Sequence, residues 1–258
     1  MRLLLFASGC AALTPLPRGI NQYEVSAGLR ANPLSTVRST ALAALAAARR
    51  QNLTLLEIEF PPLLGVRTEF EDVDNVQILD ANRDWAVEAC ASLSDLGSEL
   101  WLAFPDRKEL ELAREAWPGT MYAAATLTTL EDAATALSGA DAVVQPLNLE
   151  ACEADGSALV CLNGAFDKLR GGYYPRIFFP KLADCIDRFV SRFETIFYLK
   201  PLSDKGRSGW LFRVYPEPWQ VVAQSRDSSD VVVLASETRP SYFEAIEALL
   251  SAGSSSSS

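Results

Sequence analysis

Strand-like and helix-like segments alternate along residues 53–163, and this alternation constrains the fold more than any other feature. We expect strands at 53–60, 99–104, 120–127, 142–144 and 157–162, with helices after the first three. Because a strand–helix–strand connection is right-handed and returns the chain in the same direction, the alternation predicts a parallel sheet covered by helices. An Ala-rich helix from Thr36 to Gln51, capped by Ser35, precedes the first strand.

A different pattern begins beyond residue 163, where the densest run of strand-forming residues spans Gly209–Thr238. Apolar and polar residues alternate in Trp210–Tyr215 and in Trp219–Gln224, which predicts two antiparallel strands joined by a Pro-Glu-Pro turn. Further elements are expected at Pro180–Arg192 (helix), Thr195–Leu199 (strand), Asp230–Ala235 (strand) and Tyr242–Ser251 (helix). We therefore predict an α/β fold with a Rossmann-like mixed sheet, mainly parallel in residues 53–163, followed by a C-terminal antiparallel meander and a final helix.

The chain contains no histidine, and this excludes several kinds of chemistry at once. Ser-His and Cys-His catalytic pairs, His-ligated zinc or haem and a His proton shuttle all require that residue. The five cysteines show no C-x-x-C spacing, so we interpret them as reduced, buried thiols. A net charge of −10 argues against a nucleic-acid-binding surface. We assign no catalytic residue and expect no metal ion and no cofactor.

The first residues have the composition of a targeting sequence. Residues 1–13 carry one positive charge followed by an apolar run too short to span a bilayer, as in a signal peptide. Residues 25–56 contain no acid and carry arginines among Ala and Ser, which is typical of an organelle transit peptide. An amphipathic helix over Ser35–Arg50 or a lipoprotein anchor at Cys10 are the alternatives. We predict a targeting segment over residues 1–31 and no transmembrane helix.

The remaining chain is long enough to bury a core of its own. We expect a single α/β domain over residues 32–252. The serine run over residues 253–258 is of low complexity and is expected to be a disordered tail.

Four acidic residues are predicted near the carboxyl ends of the parallel strands, where open α/β sheets bind their ligands. Glu57 and Glu59 share one face of the first strand, Asp80 begins the next helix, and Asp106 follows the second strand. Together these carboxylates could hold a divalent cation or transfer protons. The alternative is structural, since Asp80 and Asp106 stand where helix caps belong, and Glu57 and Glu59 could mark a solvated sheet face.

A glycine-rich basic loop at residues 170–176 supplies candidate interaction residues. Arg170, Tyr173, Tyr174 and Arg176 are of types that are enriched at interfaces. A plain connection between a strand and a helix would explain the same composition. The chain carries neither a G-x-G-x-x-G nor a G-x-x-x-x-G-K-[ST] phosphate loop, and it carries no G-x-S-x-G elbow.

The predicted meander supplies a second group of candidates. Tyr215 and Trp219 could line a binding groove, although aromatic residues alternating along strands more often fill a core. Arg213 faces opposite to Phe212, so it is either solvated or paired with an acid.

Four segments together resemble a known family: IEFPPL (58–63), DAN (80–82), AFPD (103–106) and LFRVYPEPWQV (211–221). The resemblance is to a domain-of-unknown-function family of cyanobacteria and plastids. That family includes the low-photosystem-II-accumulation assembly proteins, and the domain is also appended to a chloroplast adenylate kinase. The resemblance covers roughly residues 33–252, and its most specific motif is Tyr-Pro-x-Pro-Trp.

The resemblance implies a plastid protein that acts as an auxiliary, non-catalytic factor in photosystem II assembly at the stromal face of thylakoids. Its partners would be photosystem subunits or other assembly factors, with peripheral association with the thylakoid. The family implies no catalytic constellation. An enzyme that handles nucleotides or sugar phosphates through the acidic strand ends is the alternative, motivated by the expected parallel sheet and by the kinase fusion.

Overall fold

The computed structural model of the chain describes residues 3–6, 33–61, 80–82, 100–116, 125–138, 150, 153, 158–164, 166–171, 173–224 and 230–252. In chain order the strands are β1 (Leu3–Phe6), β2 (Leu55–Glu59), β3 (Leu100–Phe104), β4 (Ala125–Thr129), β5 (Ala158–Leu162), β6 (Glu194–Asp204), β7 (Arg207–Val214), β8 (Trp219–Ala223) and β9 (Val231–Ser236). The helices are α1 (Pro33–Arg50), α2 (Arg107–Ala116), α3 (Leu130–Ser138), α4 (Phe166–Arg170), α5 (Pro180–Arg188) and α6 (Tyr242–Ser251), with a 3₁₀ turn at Val190–Arg192.

The chain divides into two compact units. The first comprises Met1–Thr14, Asn52–Ile58 and Val66–Glu194. The second comprises Pro15–Gln51, Glu59–Gly65 and Thr195–Ser258. No helix in the described part of the chain is long and apolar enough to cross a membrane.

The sheet of the first unit has the strand order β4-β3-β1-β5-β2. Strand β1 is antiparallel to both of its neighbours, whereas β2 pairs parallel with β5, and β3 pairs parallel with β4. Strand β5 (ALVCL) is buried along its whole length, as expected for a strand covered on both faces.

An apolar cluster covers one face of this sheet. The strands contribute side chains from alternate positions, which therefore point to the same face: Leu55, Ala103, Leu159 and Cys161. Helices α3, α4 and α5 and the 3₁₀ turn supply the other side. The ring of Phe193 meets those of Phe166 and Phe189 edge-on, with centroids 5.0 and 5.2 Å apart. This packing places the end of α4 over β2.

The sheet of the second unit is an antiparallel meander of β6, β7, β8 and β9. Strands β6 and β7 are joined by Lys205 and Gly206, whose φ angles of 47° and 74° are both positive, as two-residue type I′ hairpin turns require. A bulge lies between Val221 and Val222 of β8.

Helix α6 covers one face of the meander. Ser241 and Glu244 form a complete capping box at its start, and its buried side chains Ala245 and Leu249 pack with Tyr198, Leu211 and Trp219. At Gly209 a Cβ atom would lie 2.3 Å from the carbonyl oxygen of Val222 and 2.9 Å from Leu249 Cδ1, so only glycine allows this close approach.

The predicted α/β class is confirmed, as are the parallel pairs within residues 53–163, the C-terminal meander and the final helix. Two elements were not predicted. Helix α4 ends at Arg170, where we expected a connecting loop to begin. The antiparallel strand β1 is inserted between β3 and β5. Its sequence, Leu-Leu-Leu-Phe, fits a central strand as well as the core of a signal peptide. The targeting segment over residues 1–31 and the single domain over residues 32–252 stay predictions. The strand expected at 142–144 and the helix expected after residue 82 lie outside the described residues.

Candidate functional site

The carboxyl ends of four strands lie at one edge of the first unit's sheet. Strands β3 and β5 run in the same direction, because both are antiparallel to β1. Strands β2 and β4 share that direction through their parallel pairing with β5 and β3. Ligands of open α/β sheets bind at such an edge, so this is where the candidate acids were expected to act.

Glu57 is not on a solvated sheet face, and that alternative is wrong. Its side chain is fully buried, and its Oε2 accepts a hydrogen bond of 2.7 Å from Nη1 of Arg170, the last residue of α4. Nη2 of Arg170 donates to the carbonyl oxygen of Val190 at 3.3 Å, and its guanidinium lies 5.4 Å from the ring centroid of Phe166. Arg170 is thus a structural partner of the sheet, although the sequence placed it in a connecting loop.

Two asparagines lie beside this ion pair at the end of β5. The backbone N–H of Asn163 donates to the carbonyl oxygen of Ile58 at 2.8 Å, and its side-chain amide donates to Oδ1 of Asn82 at 2.6 Å. Both asparagines are buried. Asn163 has a φ of 50°, in the left-handed region that asparagine tolerates better than most residues. The neighbouring Gly164 has no room for a side chain, because a Cβ there would lie 2.3 Å from Cys161 Sγ.

The other three predicted acids do not join Glu57 in a metal-binding group. Asp106 accepts a hydrogen bond of 2.9 Å from the backbone N–H of Glu109, so it caps α2 as its position suggested. Asp80 is exposed at the first of three described helical residues, and Glu59 is the last residue of β2. Within the described ranges, no three His, Cys, Asp or Glu side chains are placed to hold a metal ion.

The second feature of the first unit is an exposed segment, Tyr173–Phe179, which we call the aromatic loop. Its most exposed apolar side chains are Ile177 (89% exposed), Phe178 (76%) and Tyr173 (71%). Phe179 is also exposed, whereas Tyr174 is half-buried. The sequence had singled out the two tyrosines and Arg176, and the structure adds the apolar residues that follow them.

The aromatic loop is ordered by its own contacts. The Tyr174 ring meets those of Tyr173 and Phe179 edge-on, at centroid distances of 5.1 and 5.6 Å. Arg176 forms a two-pronged ion pair with Asp187 of α5, with N–O distances of 3.1 and 2.5 Å. The hydrogen bond from Arg176 lowers the pKa of Asp187, and the same bond raises the pKa of Arg176. Two kinds of contact, ring packing and an ion pair, therefore hold the loop in place.

The candidate residues of the meander lie in the second unit. Arg213 faces away from Phe212, as expected, and its guanidinium lies 5.4 Å from the ring centroid of the buried Trp219. Arg239 lies 5.1 Å from the same ring and 4.4 Å from that of Tyr198, to whose hydroxyl it donates at 2.6 Å. Trp219 is thus part of the core, and the guanidinium groups of two arginines lie over its ring.

Tyr215 does not belong to that stack. Its hydroxyl donates a hydrogen bond to the side-chain oxygen of Gln51, just after α1. Its backbone N–H donates to the carbonyl oxygen of Ile196 on β6 at 2.8 Å. Seven of the eleven candidate residues therefore fall into three groups. These are the ion pair Glu57–Arg170, the aromatic loop, and the cation–aromatic stack of the meander.

Sequence reasoning missed residues in each group. Asn82 and Asn163 are 81 positions apart, and no local pattern links them. The sequence around Arg239, which follows β9, gives no indication that its side chain contacts Tyr198 and Trp219. Ile177, Phe178 and Phe179 did leave a signal, because three successive large apolar residues stand between Pro175 and Pro180, outside any strand or helix pattern.

The comparison with protein families agrees with the sequence motifs. No curated protein and no solved structure gives a significant match to the chain. One family profile, described as "Domain of unknown function (DUF1995)", matches residues 34–247. That range contains the buried ion pair, the aromatic loop and the cation–aromatic stack, and it covers most of the chain. The chain therefore belongs to the DUF1995 family.

Proposed function

We propose that this protein is an auxiliary, non-catalytic factor for the biogenesis of photosynthetic complexes. It acts in a plastid, at the stromal side of thylakoids, and assists the assembly of photosystem II. The plastid location and the photosystem partner are supported by the resemblance of segments 58–63 and 211–221 to assembly proteins. The docking role is supported by the aromatic loop.

The exposure of the aromatic loop carries this proposal. Folded proteins rarely leave contiguous large apolar side chains in water unless the patch binds something. Ile177 and Phe178 are almost wholly exposed, and Tyr173 stands beside them in the same loop. Tyrosine, phenylalanine and arginine are also the residue types that binding surfaces favour.

The predicted acidic site gives less support to a reaction centre. Glu57 is engaged by the guanidinium of Arg170, and Asp106 is engaged by the first turn of α2. A general base must reach the proton that it removes, and a buried carboxylate held by an arginine is poorly placed for that task. The geometry therefore favours a binding role for the first unit.

Affinity purification from plastids tests the proposal. A tagged full-length protein purified from solubilised thylakoids should carry photosystem II subunits with it. Phe178→Ser should lower the recovery several-fold, because it removes an apolar side chain from the aromatic loop without touching a core. The matched control is Phe243→Ser, since Phe243 is 84% exposed but lies in α6 of the second unit. Recovery of no photosystem subunit with the unaltered protein would refute the proposal.

A second candidate function, an enzyme that handles nucleotides or sugar phosphates, is favoured by the polar groups at the carboxyl edge. Asn82, Asn163 and Glu57 bring amide and carboxylate groups to the edge where such ligands bind. A thermal-shift panel of nucleotides and sugar phosphates, each with and without Mg²⁺, tests this function. A ligand at 100 times its Kd adds about 2.7 kcal/mol to the stability. A panel without any shift would remove this candidate.

A further inference from the structure

We propose that the aromatic loop is a membrane-insertion loop whose ligand is the interface of an anionic lipid bilayer. The inference rests on the proposed function in one respect, namely that the loop is a binding surface, and it names what that surface binds. It concerns the first unit alone, because all of its residues lie there.

The apolar residues of the loop lie on an exposed turn, which we call the tip. Ile177, Phe178 and Phe179 are consecutive, and the first two are 89% and 76% exposed. The backbone N–H groups of Phe178 and Phe179 both donate to the carbonyl oxygen of Pro175, at 3.0 and 3.2 Å, so the tip is a tight turn rather than an extended strand. In a tight turn of this kind, neighbouring side chains can contact one surface together.

Two tyrosines precede these apolar residues in the loop. Tyr173 and Tyr174 are packed edge-on, and Tyr174 also contacts Phe179. Tyrosine has an apolar ring and a polar hydroxyl, and it is enriched at the level of the lipid headgroups for that reason. A loop that combines exposed apolar side chains with tyrosines therefore suits the boundary between the acyl chains and the headgroups.

The segment that contains the loop is rich in basic residues, although the chain as a whole is acidic. Between Phe166 and Lys181 there are four basic residues and one acid, so the formal charge is 4 − 1 = +3, against −10 for the chain. Arg170 and Arg176 are paired with Glu57 and Asp187. Lys168 and Lys181 are exposed, and neither has an ion-pair partner among the described residues.

The acids of the adjacent helix are already matched by arginines. Asp184 pairs with Arg188 at 2.9 Å, and Asp187 pairs with Arg176. The two exposed lysines therefore remain to interact with lipid phosphates, and each basic residue near an anionic membrane surface strengthens binding. Exposed apolar side chains flanked by two exposed lysines are complementary to an anionic bilayer.

Three consecutive large apolar side chains lie on this exposed turn. Apolar residues flanked by lysines and arginines are the pattern by which peripheral segments enter the interface of an anionic bilayer.

Co-sedimentation of the full-length protein with vesicles tests the inference in the absence of any protein partner. One set of vesicles contains phosphatidylcholine alone, and the other contains phosphatidylcholine mixed with phosphatidylglycerol. The protein should bind the mixed vesicles more tightly. Phe178→Ser should lower the lipid partition roughly tenfold, the value expected from losing one buried phenylalanine. Lys168→Gln combined with Lys181→Gln should remove most of the preference for phosphatidylglycerol.

Phe243→Ser is the matched control, because it removes a similarly exposed phenylalanine from the second unit. It should leave the lipid partition unchanged. Circular dichroism checks that every variant is folded. Two results would overturn the inference: failure of the unaltered protein to bind mixed vesicles, or an equal loss of binding in Phe178→Ser and Phe243→Ser, which would mean non-specific adsorption.

The outcomes also separate this inference from the proposed function. Recovery of photosystem subunits that depends on Phe178, without vesicle binding, would mean that the loop binds a protein, and the inference would fall alone. Vesicle binding without any photosystem subunit in the purification would leave the inference standing and remove the proposed function.

Discussion

The carboxylate of Glu57 on β2 and the guanidinium of Arg170 at the end of α4 form an ion pair of 2.7 Å, in which the glutamate is fully buried and the arginine is about a quarter exposed. The pair joins positions 113 residues apart. The pair attaches the end of α4 to β2. The segment that leads to the aromatic loop begins at this end of α4.

We predict that Arg170→Met destabilises the protein by about 3 kcal/mol, the lower end of the range for breaking a buried pair, because Glu57 is left as a buried charge without its cation. Chemical denaturation followed by circular dichroism measures the loss. The matched variant combines Arg170→Met with Glu57→Leu, which removes both charges. It should recover most of the lost stability, since replacing a buried ion pair by apolar groups is often nearly neutral. A double variant as unstable as the single one would contradict this account.

We predict that Gly164→Ala destabilises the protein by about 1–3 kcal/mol through overpacking. The added Cβ would lie 2.3 Å from Cys161 Sγ and 3.2 Å from the ring of Phe166. Because the closest clash is with the sulfur, Cys161→Ala should partly compensate in the double variant. A double-mutant cycle on denaturation free energies measures this coupling. Strictly additive effects would show that the cost has another origin.

We predict that Ser241→Ala lowers the stability by about 1 kcal/mol, because it removes the N-cap of α6. Differential scanning calorimetry measures the change. Ser241→Asp, which keeps an oxygen that can accept the same hydrogen bond, is the control. An equal loss of stability in Ser241→Asp would argue against a capping effect.

Glu244 should make the stability of α6 depend on pH. Its carboxylate accepts a hydrogen bond from the backbone N–H of Ser241, which lowers its pKa in the folded protein. A lowered pKa contributes stability above the pKa of the unfolded chain, about 4.3, and this contribution is lost as the pH falls through the folded value. The difference in stability between the unaltered protein and Glu244→Gln should therefore be present near neutral pH and disappear in acid. A difference that persists unchanged in acid would contradict the prediction.

We predict that Cys185 does not react with thiol reagents in the folded protein near neutral pH. The residue is fully buried on α5, and burial, with a smaller contribution from Asp184, raises its pKa to about 11. The thiolate is the reactive form, so both its scarcity and its burial protect it. Alkylation followed by mass spectrometry, with and without denaturant, measures the protection. Labelling of the native protein at the rate of the denatured chain would refute it.

Local sequence signals predicted the elements of the fold well. The final helix was expected at Tyr242–Ser251 and lies there. Its apolar periodicity and its N-cap residue are both local features of the sequence. The strands of the meander were also found from alternation, since antiparallel neighbours follow one another along the chain. The insertion of β1 between β3 and β5 was not predicted, because no short-range pattern states which strands pair.

The candidate site was harder to predict for the same reason. Asp106 was recognisable as a cap, because its partner lies three residues away. The pairing of the buried Glu57 with Arg170 joins positions 113 residues apart, so no local pattern reveals it. Exposure of Ile177 and Phe178 likewise depends on which helices fail to cover them, and an apolar residue type by itself predicts burial.

The packing of α6 on the meander also indicates where the domain ends. The family match stops at residue 247, whereas Leu249 is fully buried and its side chain fills the space that the missing side chain of Gly209 leaves open. A fragment trimmed to the matched residues would therefore lose a core residue and expose the glycine beneath it. The boundary of the domain in this chain should therefore be set at least one helical turn beyond residue 247.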